Sequence, residues 1–173
     1  MRLRANGKYG ASAGLHPWNE TRISATAGNS AAYCTRHTRL AEYATLFPPC
    51  RLNVVTAPHI GVSLRVVVLD LDPVDRARTY VNPEIIWASP ETILHREGSV
   101  SMPGVNDDIE RHARVRISYH DLDGNLQIEE SEGLRAVCHQ HEIDQLNGLF
   151  WIKRLSRLKR ERLIKRFEKV SRS

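Results

Sequence analysis

The sequence is poor in cysteine and has no long apolar run. It contains only three cysteines, Cys34, Cys50 and Cys138, among 173 residues. So small and odd a set does not build a disulfide framework, and a reducing compartment is the simpler interpretation. Because no stretch of about 18 apolar residues occurs, we expect no transmembrane helix and no membrane partner. The remaining composition, 41% hydrophobic and 26% charged, is typical of one globular domain with a real core.

Acidic residues are scarce near the start of the chain. The first 19 residues contain Arg2, Arg4 and Lys8, and the first acid is Glu20. This composition, which is also rich in Ala, Ser and Gly, is typical of an organellar transit peptide. The same residues also fit a retained extended arm over 1–32, because they show no helical or strand periodicity. Both interpretations stay open.

Most of the excess positive charge lies at the other end. Residues 151–173 hold ten Lys/Arg and two Asp/Glu, whereas the remaining 150 residues hold 15 Lys/Arg and 18 Asp/Glu. This asymmetry predicts an anionic partner at the C-terminal end, with a merely solvated helix face as the alternative. The candidate RNA-contacting cations are Lys153, Arg154, Arg157, Lys159, Arg160, Arg162, Lys165, Arg166 and Lys169.

Local patterns predict strands in the middle of the chain and helices towards its end. A β-branched run is typical of a buried strand, alternation around an Asp-Gly pair predicts a hairpin, and apolar spacings of three and four predict helices. This order favours an α+β fold. The predicted elements are a helix at Cys34–Phe47, a strand at 64–71, an extended piece from Asn82, a hairpin at 113–131, a helix at Gly133–Leu146 and a helix capped by Ser156.

A broken metal-hydrolase motif lies on the predicted helix Gly133–Leu146. Imidazoles at positions i and i+4 share one helix face and can hold a metal, while a Glu beside the first can activate a metal-bound water. His141 and Glu142 occupy the first two of these positions, but the third holds Gln145 in place of a second His. Taken alone, such a broken motif is weak evidence.

Several other segments, all in order and in register, resemble the peptide deformylase family. The resemblance covers about residues 48–170 and implies an α+β domain with a mixed sheet and a central metal-motif helix. On that basis the chain divides into an arm or targeting-like segment (1–32), a deformylase-like domain (33–155) and a basic C-terminal helix (156–173). The matching segments are Ala57–Val66, Asn82–Ile85, Glu97–Gly104, Val105–Gly124 and Glu132–Cys138, which leads into His141.

The resemblance implies a specific reaction and a specific metal site. Family members remove the formyl group from nascent formyl-methionine chains, with Fe²⁺ or Zn²⁺ held by one Cys and two His. Carried over by position, the ligands become Ser99, His141 and Gln145, the general base is Glu142, and the oxyanion donor is His59. A hydroxyl keeps its proton at neutral pH, and an amide oxygen is a weak ligand for these metals. We therefore expect no bound cofactor, with Fe²⁺ or Zn²⁺ as the alternative.

Two alternatives accompany that expectation. His141 and Glu142 could be structural side chains with no catalytic part, or they could form a rebuilt zinc site together with His59. The peptide cleft is also altered, because Leu52 and Val54 stand where the family has glycines that let the substrate backbone approach.

These observations predict a catalytically inactive deformylase-like protein that serves an organellar ribosome as a structural or assembly component. The mitochondrial large subunit is favoured, because formyl-methionine initiation belongs to bacteria and organelles and the family docks on ribosomes through a basic C-terminal helix. Ribosomal RNA and ribosomal proteins are the expected partners, with the nascent chain as a further candidate. The expected location is the mitochondrial matrix, with a bacterial-type cytoplasm or a plastid as alternatives. The competing function is an active metal-dependent deformylase.

Overall fold

The architecture is known from a computed structural model that describes residues 53–60, 64–71 and 77–172. It confirms the predicted α+β class. The predicted helix at Cys34–Phe47, the arm at 1–32 and Leu52 lie outside the described residues. The elements in chain order are β1 (Asn53–Thr56), a 3₁₀ turn (Ala57–Ile60), β2 (Val66–Asp70), β3 (Arg78–Ala88), β4 (Thr92–Ser99), β5 (Met102–His112), β6 (Arg114–His120), β7 (Leu126–Glu132), α1 (Gly133–Leu146), a second 3₁₀ turn (Trp151–Arg154) and α2 (Arg157–Val170).

The described strands form two antiparallel sheets. Five of them make one sheet in the order β1-β2-β3-β6-β7, and β4 pairs with β5 in a separate ribbon. The predicted hairpin is confirmed as β6 and β7. Its turn places Gly124 at a φ of 85°, which favours glycine, while the Asp121 carboxylate accepts the backbone N–H groups of Asp123 and Asn125.

Helix α1 packs on one face of the five-stranded sheet and covers the first core. From the helix, Ala136, Ile143 and Leu146 enter this core, and the sheet contributes alternate residues of β2, β3 and β6. The spacing of three and four that predicts α1 runs through Leu134, Val137, Cys138, His141, Gln145 and Leu146. Leu146 belongs to this core and Cys138 packs against it, but Leu134, Val137, His141 and Gln145 line a cleft, and Leu134 is 39% exposed. Periodicity therefore found the helix but only part of the side that meets the sheet.

Helix α2 packs on the β4-β5 ribbon and builds a second core. The predicted cap is confirmed, since Ser156 Oγ accepts the Lys159 backbone N–H at 3.4 Å. Gly104 has a φ of +81°, and a Cβ there would lie 3.0 Å from Val170, so glycine permits the close approach of α2 to β5. The core residues are Met102, Val105, Ile109, Trp151, Leu155 and Leu163. The basic helix is thus an integral part of this layer.

Strands β1, β4 and β5 were not predicted as strands from the sequence. In β5 the period-two pattern is hidden, because Pro103 and Gly104 interrupt it and the buried positions include Arg111. In β4 the only fully buried residue is Glu97. Apolar alternation is hard to recognise in strands whose inward side chains include charged residues.

Candidate functional site

A cleft of about 200 Å³ lies between α1 and β4. It brings together four of the five positions assigned from the family motifs: Ser99, His141, Glu142 and Gln145. The backbone of the fifth, His59, lies in the 3₁₀ turn Ala57–Ile60. The complete lining is Val54, His95, Arg96, Glu97, Gly98, Ser99, Val100, Leu134, Val137, Cys138, His141, Glu142 and Gln145. Val54, at a family glycine position, therefore adds a side chain to the cleft wall.

Both ring nitrogens of His141 have protein partners. Nδ1 lies 2.8 Å from Glu97 Oε2, and Nε2 lies 2.7 Å from Gln145 Nε2. Because an ionised carboxylate only accepts hydrogen bonds, Nδ1 carries a proton, and in the neutral ring Nε2 is then the acceptor. The Gln145 amide then donates to the Nε2 lone pair. A neutral imidazole with this tautomer binds a metal through the Nε2 lone pair. In this cleft that lone pair already accepts a hydrogen bond from Gln145.

The carboxylate of Glu97 is buried in a pair with Arg111. Arg111 Nε donates to Glu97 Oε1 at 2.7 Å and Nη2 to Oε2 at 2.9 Å, and both side chains are at most 3% exposed. Burial alone would raise the pKa of Glu97, but hydrogen bonds and charge from Arg111 and His141 outweigh it and lower the pKa to about 2. Glu97 is therefore ionised at neutral pH.

The ion pairs continue from Arg111 to the surface. Arg111 Nη1 donates to Asp144 Oδ2, and Arg154 donates to both oxygens of Asp144 at 3.0 and 2.6 Å. We call the connected side chains the ion-pair chain: Arg154, Asp144, Arg111, Glu97, His141 and Gln145. The roles of Asp144 and Arg154 in it were not predicted. The available signal was that Asp144 follows His141 by three residues, one helical turn along α1.

Glu142, at the general-base position, is a buried carboxyl group of the cleft. Its Oε2 has no hydrogen-bond partner among the described residues, and its Oε1 lies 4.0 Å from His141 Nε2. Burial raises its pKa to about 7, a rise that His141 opposes and Glu97 reinforces. Glu142 therefore has the proton affinity of a general base.

The donor set does not fit Fe²⁺ or Zn²⁺. Ser99 Oγ accepts the Ser101 N–H at 3.2 Å, and burial raises the pKa of the Cys138 thiol, which also lines the cleft, to about 12. Within residues 53–60, 64–71 and 77–172, no three His, Cys, Asp or Glu side chains are grouped to hold a metal ion. Of the rebuilt site, the described side chains supply only His141 and Glu142.

Three of the nine predicted RNA-contacting cations form ion pairs: Arg154 pairs with Asp144, Arg157 with Glu161, and Lys159 with Asp107. Arg162, Lys165 and Lys169 follow one another at spacings of three and four, so they share one exposed face of α2. We call these three the cationic stripe. None of the described helices is long and apolar enough to cross a membrane.

Comparison with known proteins identifies the family. The model of the polypeptide deformylase family matches residues 47–161. The chain belongs to this family. A peptide deformylase-like protein of Bradyrhizobium diazoefficiens is 80% identical over 118 residues, covering 68% of this chain and 69% of the relative. The crystal structure of a class I type b peptide deformylase from Acinetobacter baumannii superimposes with a TM-score of 0.72 at 28% identity, covering 82% of this chain and 92% of that one.

This chain is also similar to a relative that is named as a deformylase itself. A protein of Bradyrhizobium diazoefficiens named peptide deformylase is 41% identical over 129 residues, covering 66% of this chain and 74% of the relative. The family membership and fold predicted from imperfect motifs are therefore confirmed. Deformylases normally use Fe²⁺ or a similar metal, and the side chains described above depart from that ligand set at Ser99 and Gln145.

Proposed function

We propose that this deformylase-family protein has kept the fold and lost the reaction, and that it acts as a structural or assembly factor on ribosomal RNA. One observation supports the first part above all others. The Gln145 amide occupies the Nε2 lone pair of His141 at 2.7 Å, so a metal would have to displace a hydrogen bond that the helix itself supplies. The remaining donor, the Ser99 hydroxyl, is a poor metal ligand and would not compensate for that loss.

Magnitudes favour inactivity over a slow enzyme. Losing a group that merely orients a metal ligand costs about 10- to 100-fold in metal affinity or activity, and here two of three direct ligands are replaced. Without a metal, the pKa of water stays at about 15.7 instead of falling towards about 7. Glu142 would then have no activated water from which to take a proton.

The relatives give this proposal a biological setting. Bradyrhizobium diazoefficiens has both a protein named peptide deformylase-like and a protein named peptide deformylase among the relatives of this chain. A bacterium with two such proteins can keep the reaction in one and let the other diverge. By analogy, we propose that this chain is the diverged copy of a working deformylase.

The first prediction concerns activity. Incubated with formyl-Met-Ala-Ser and supplied with Fe²⁺, Ni²⁺ or Zn²⁺, the protein should release no formate above the protein-free background. The Bradyrhizobium diazoefficiens peptide deformylase, assayed beside it under the same metals, is the positive control. Turnover that disappears in a Glu142→Gln variant would contradict the proposal.

An active deformylase remains the second candidate because of one observation. Glu142 is kept at the general-base position, is only 5% exposed, and has a pKa of about 7, which suits proton transfer at neutral pH. The assay above decides between the two candidates, since an active enzyme needs both the metal and Glu142.

The docking half of the proposal rests on α2. The cationic stripe presents three positive side chains on one face, and phosphate-rich RNA would bind such a face with strong salt dependence. The relatives named above are bacterial, and bacteria have no mitochondria. Of the locations considered from the sequence we therefore propose the bacterial cytoplasm, with bacterial ribosomal RNA and ribosomal proteins as partners. The mitochondrial large subunit stays a prediction.

The second prediction tests this docking. Replacing Arg162, Lys165 and Lys169 together with Ala should weaken binding to ribosomal RNA and flatten the dependence of log K on log salt by about 2 to 3, since each phosphate contact contributes about 0.7 to 0.9. Fluorescence anisotropy with a labelled ribosomal RNA fragment between low and moderate salt measures both quantities.

The matched control for that experiment is Arg157→Ala. This residue lies on the same helix but is paired with Glu161 at 2.9 Å, so its removal should change the slope much less. An effect of the control one third as large as that of the stripe variant, the share of one charge in three, would show that α2 attracts RNA only through net charge. An unchanged slope in the stripe variant would show that RNA binds elsewhere or not at all.

A further inference from the structure

The ion-pair chain joins the surface at the start of the basic C-terminal region to the cleft. Five contacts connect Arg154 to Gln145. They lead from the turn Trp151–Arg154 to α1, from α1 to the β4-β5 ribbon, and from the ribbon back to α1. Two arginines balance two carboxylates, so the chain is neutral as a whole. Contacts of this kind form one contiguous network, the physical arrangement through which a change at one end can reach the other.

Arg154 is the member of this chain that a large anion can reach. Its side chain is 44% exposed, whereas Asp144 is 10% exposed and Arg111 only 1%. It directs Nε and Nη2 to Asp144, which leaves N–H donors of its guanidinium for a second acceptor. Lys153 beside it is exposed as well. A phosphate can therefore bind Arg154 while Arg154 still contacts Asp144.

We infer that an RNA phosphate bound to Arg154 changes the hydrogen bonding of His141 in the cleft through Asp144, Arg111 and Glu97. This inference rests on the proposed docking to RNA and adds that docking and the cleft are coupled. Arg154 is thus a positioning residue for the cleft as well as an RNA contact.

The direction of the effect follows from the contacts. A phosphate draws on the positive charge of Arg154, so Asp144 is less compensated and attracts Arg111 more strongly. Arg111 is shared between Asp144 and Glu97, and a stronger bond to one weakens its hold on the other. Because Arg111 then neutralises less of the Glu97 charge, the hydrogen bond that Glu97 accepts from the Nδ1–H of His141 becomes stronger.

The experiment follows the Nδ1 proton of His141 by NMR in protein labelled with ¹⁵N-histidine. On saturation with an RNA duplex of about 20 base pairs, that proton should move downfield in the wild-type protein. Arg154→Gln should show the downfield position without RNA and no further change with it. Asp144→Asn should bind RNA but leave the proton in place when RNA is added.

The matched control is Arg162→Gln, on the cationic stripe but outside the ion-pair chain. It should need more RNA to saturate and then show the full wild-type shift. RNA that binds without moving the His141 proton, or that moves it equally in Arg154→Gln, would overturn the coupling and leave the docking proposal intact. Absence of RNA binding at low salt would overturn both proposals.

Discussion

Ser99→Cys combined with Gln145→His should bind about one equivalent of Zn²⁺ or Co²⁺, whereas the wild-type protein should hold less than about a tenth of an equivalent. The double change supplies a thiolate and a second imidazole where the family has them. It also removes the amide that now donates to His141 Nε2 at 2.7 Å. The rest of the centre is in place, because Glu97 already accepts the Nδ1 proton of His141 and fixes the tautomer that a ligand needs.

Elemental analysis of both proteins, prepared without chelators, measures the stoichiometry. A Co²⁺ titration of the double variant should add a thiolate-to-metal absorption band that identifies the introduced thiol as a ligand. The matched control is Ser101→Cys with Gln145→His, which has the same composition but places its thiol on an exposed residue two positions away. It should bind far less tightly, because the thiol then lies outside the cleft lining.

Either departure from this result would be informative. A full equivalent of metal in the wild-type protein would sink the proposal that the reaction is lost and point to the rebuilt site. No metal in the double variant would show that the cleft has changed beyond its ligands, for example where Val54 lines its wall. Recovery of deformylase activity in the double variant would further show that Glu142 still lies where a general base is needed.

Periodicity in the sequence predicts some elements of this fold and misses others. Helix α1 and the β6-β7 hairpin follow from local patterns, and their bounds were predicted closely, because apolar spacing and an Asp-Gly turn are properties of neighbouring residues. The site residues on α1 were found from the spacing of a broken metal-hydrolase motif, whereas Ser99 was found only through the order of family motifs. That Ser99 lines the same cleft as the α1 residues depends on how β4 packs, which no local pattern encodes.

The ion-pair chain shows this limit most clearly. Arg111 and Asp144 are 33 residues apart in the sequence, and nothing near either one predicts the other. A buried arginine in a strand looks like a surface residue when the sequence is analysed alone. The buried side of α1 is also hard to predict, because four of its buried side chains are polar or charged: His139, Gln140, Glu142 and Asp144.

Arg111→Met should destabilise the fold by about 3 to 5 kcal/mol, the cost of leaving buried charges without their partner. Arg111 is 1% exposed and is shared by two carboxylates, Glu97 and Asp144, so its loss leaves both of them short of compensation. The free energy of unfolding at pH 7, from urea titrations of both proteins, measures the cost. The control is Arg114→Met, whose pair with Glu91 is about half exposed and should contribute about 0 to 1 kcal/mol.

The dependence of this cost on pH distinguishes lost charge from lost packing. In the wild-type protein the pKa of Glu97 is lowered from 4.5 to about 2, so its contribution to stability is present above pH 4.5 and disappears as the pH falls towards 2. In Arg111→Met the burial of Glu97 remains without the guanidinium, so its pKa should rise and the carboxyl should protonate more easily. The deficit of the variant should therefore be smaller at pH 4 than at pH 7, and Glu97→Gln added to Arg111→Met should restore part of the stability at pH 7. A deficit that is the same at both pH values would mean that Arg111 acts through packing alone and that the ion-pair chain contributes no net electrostatic stability.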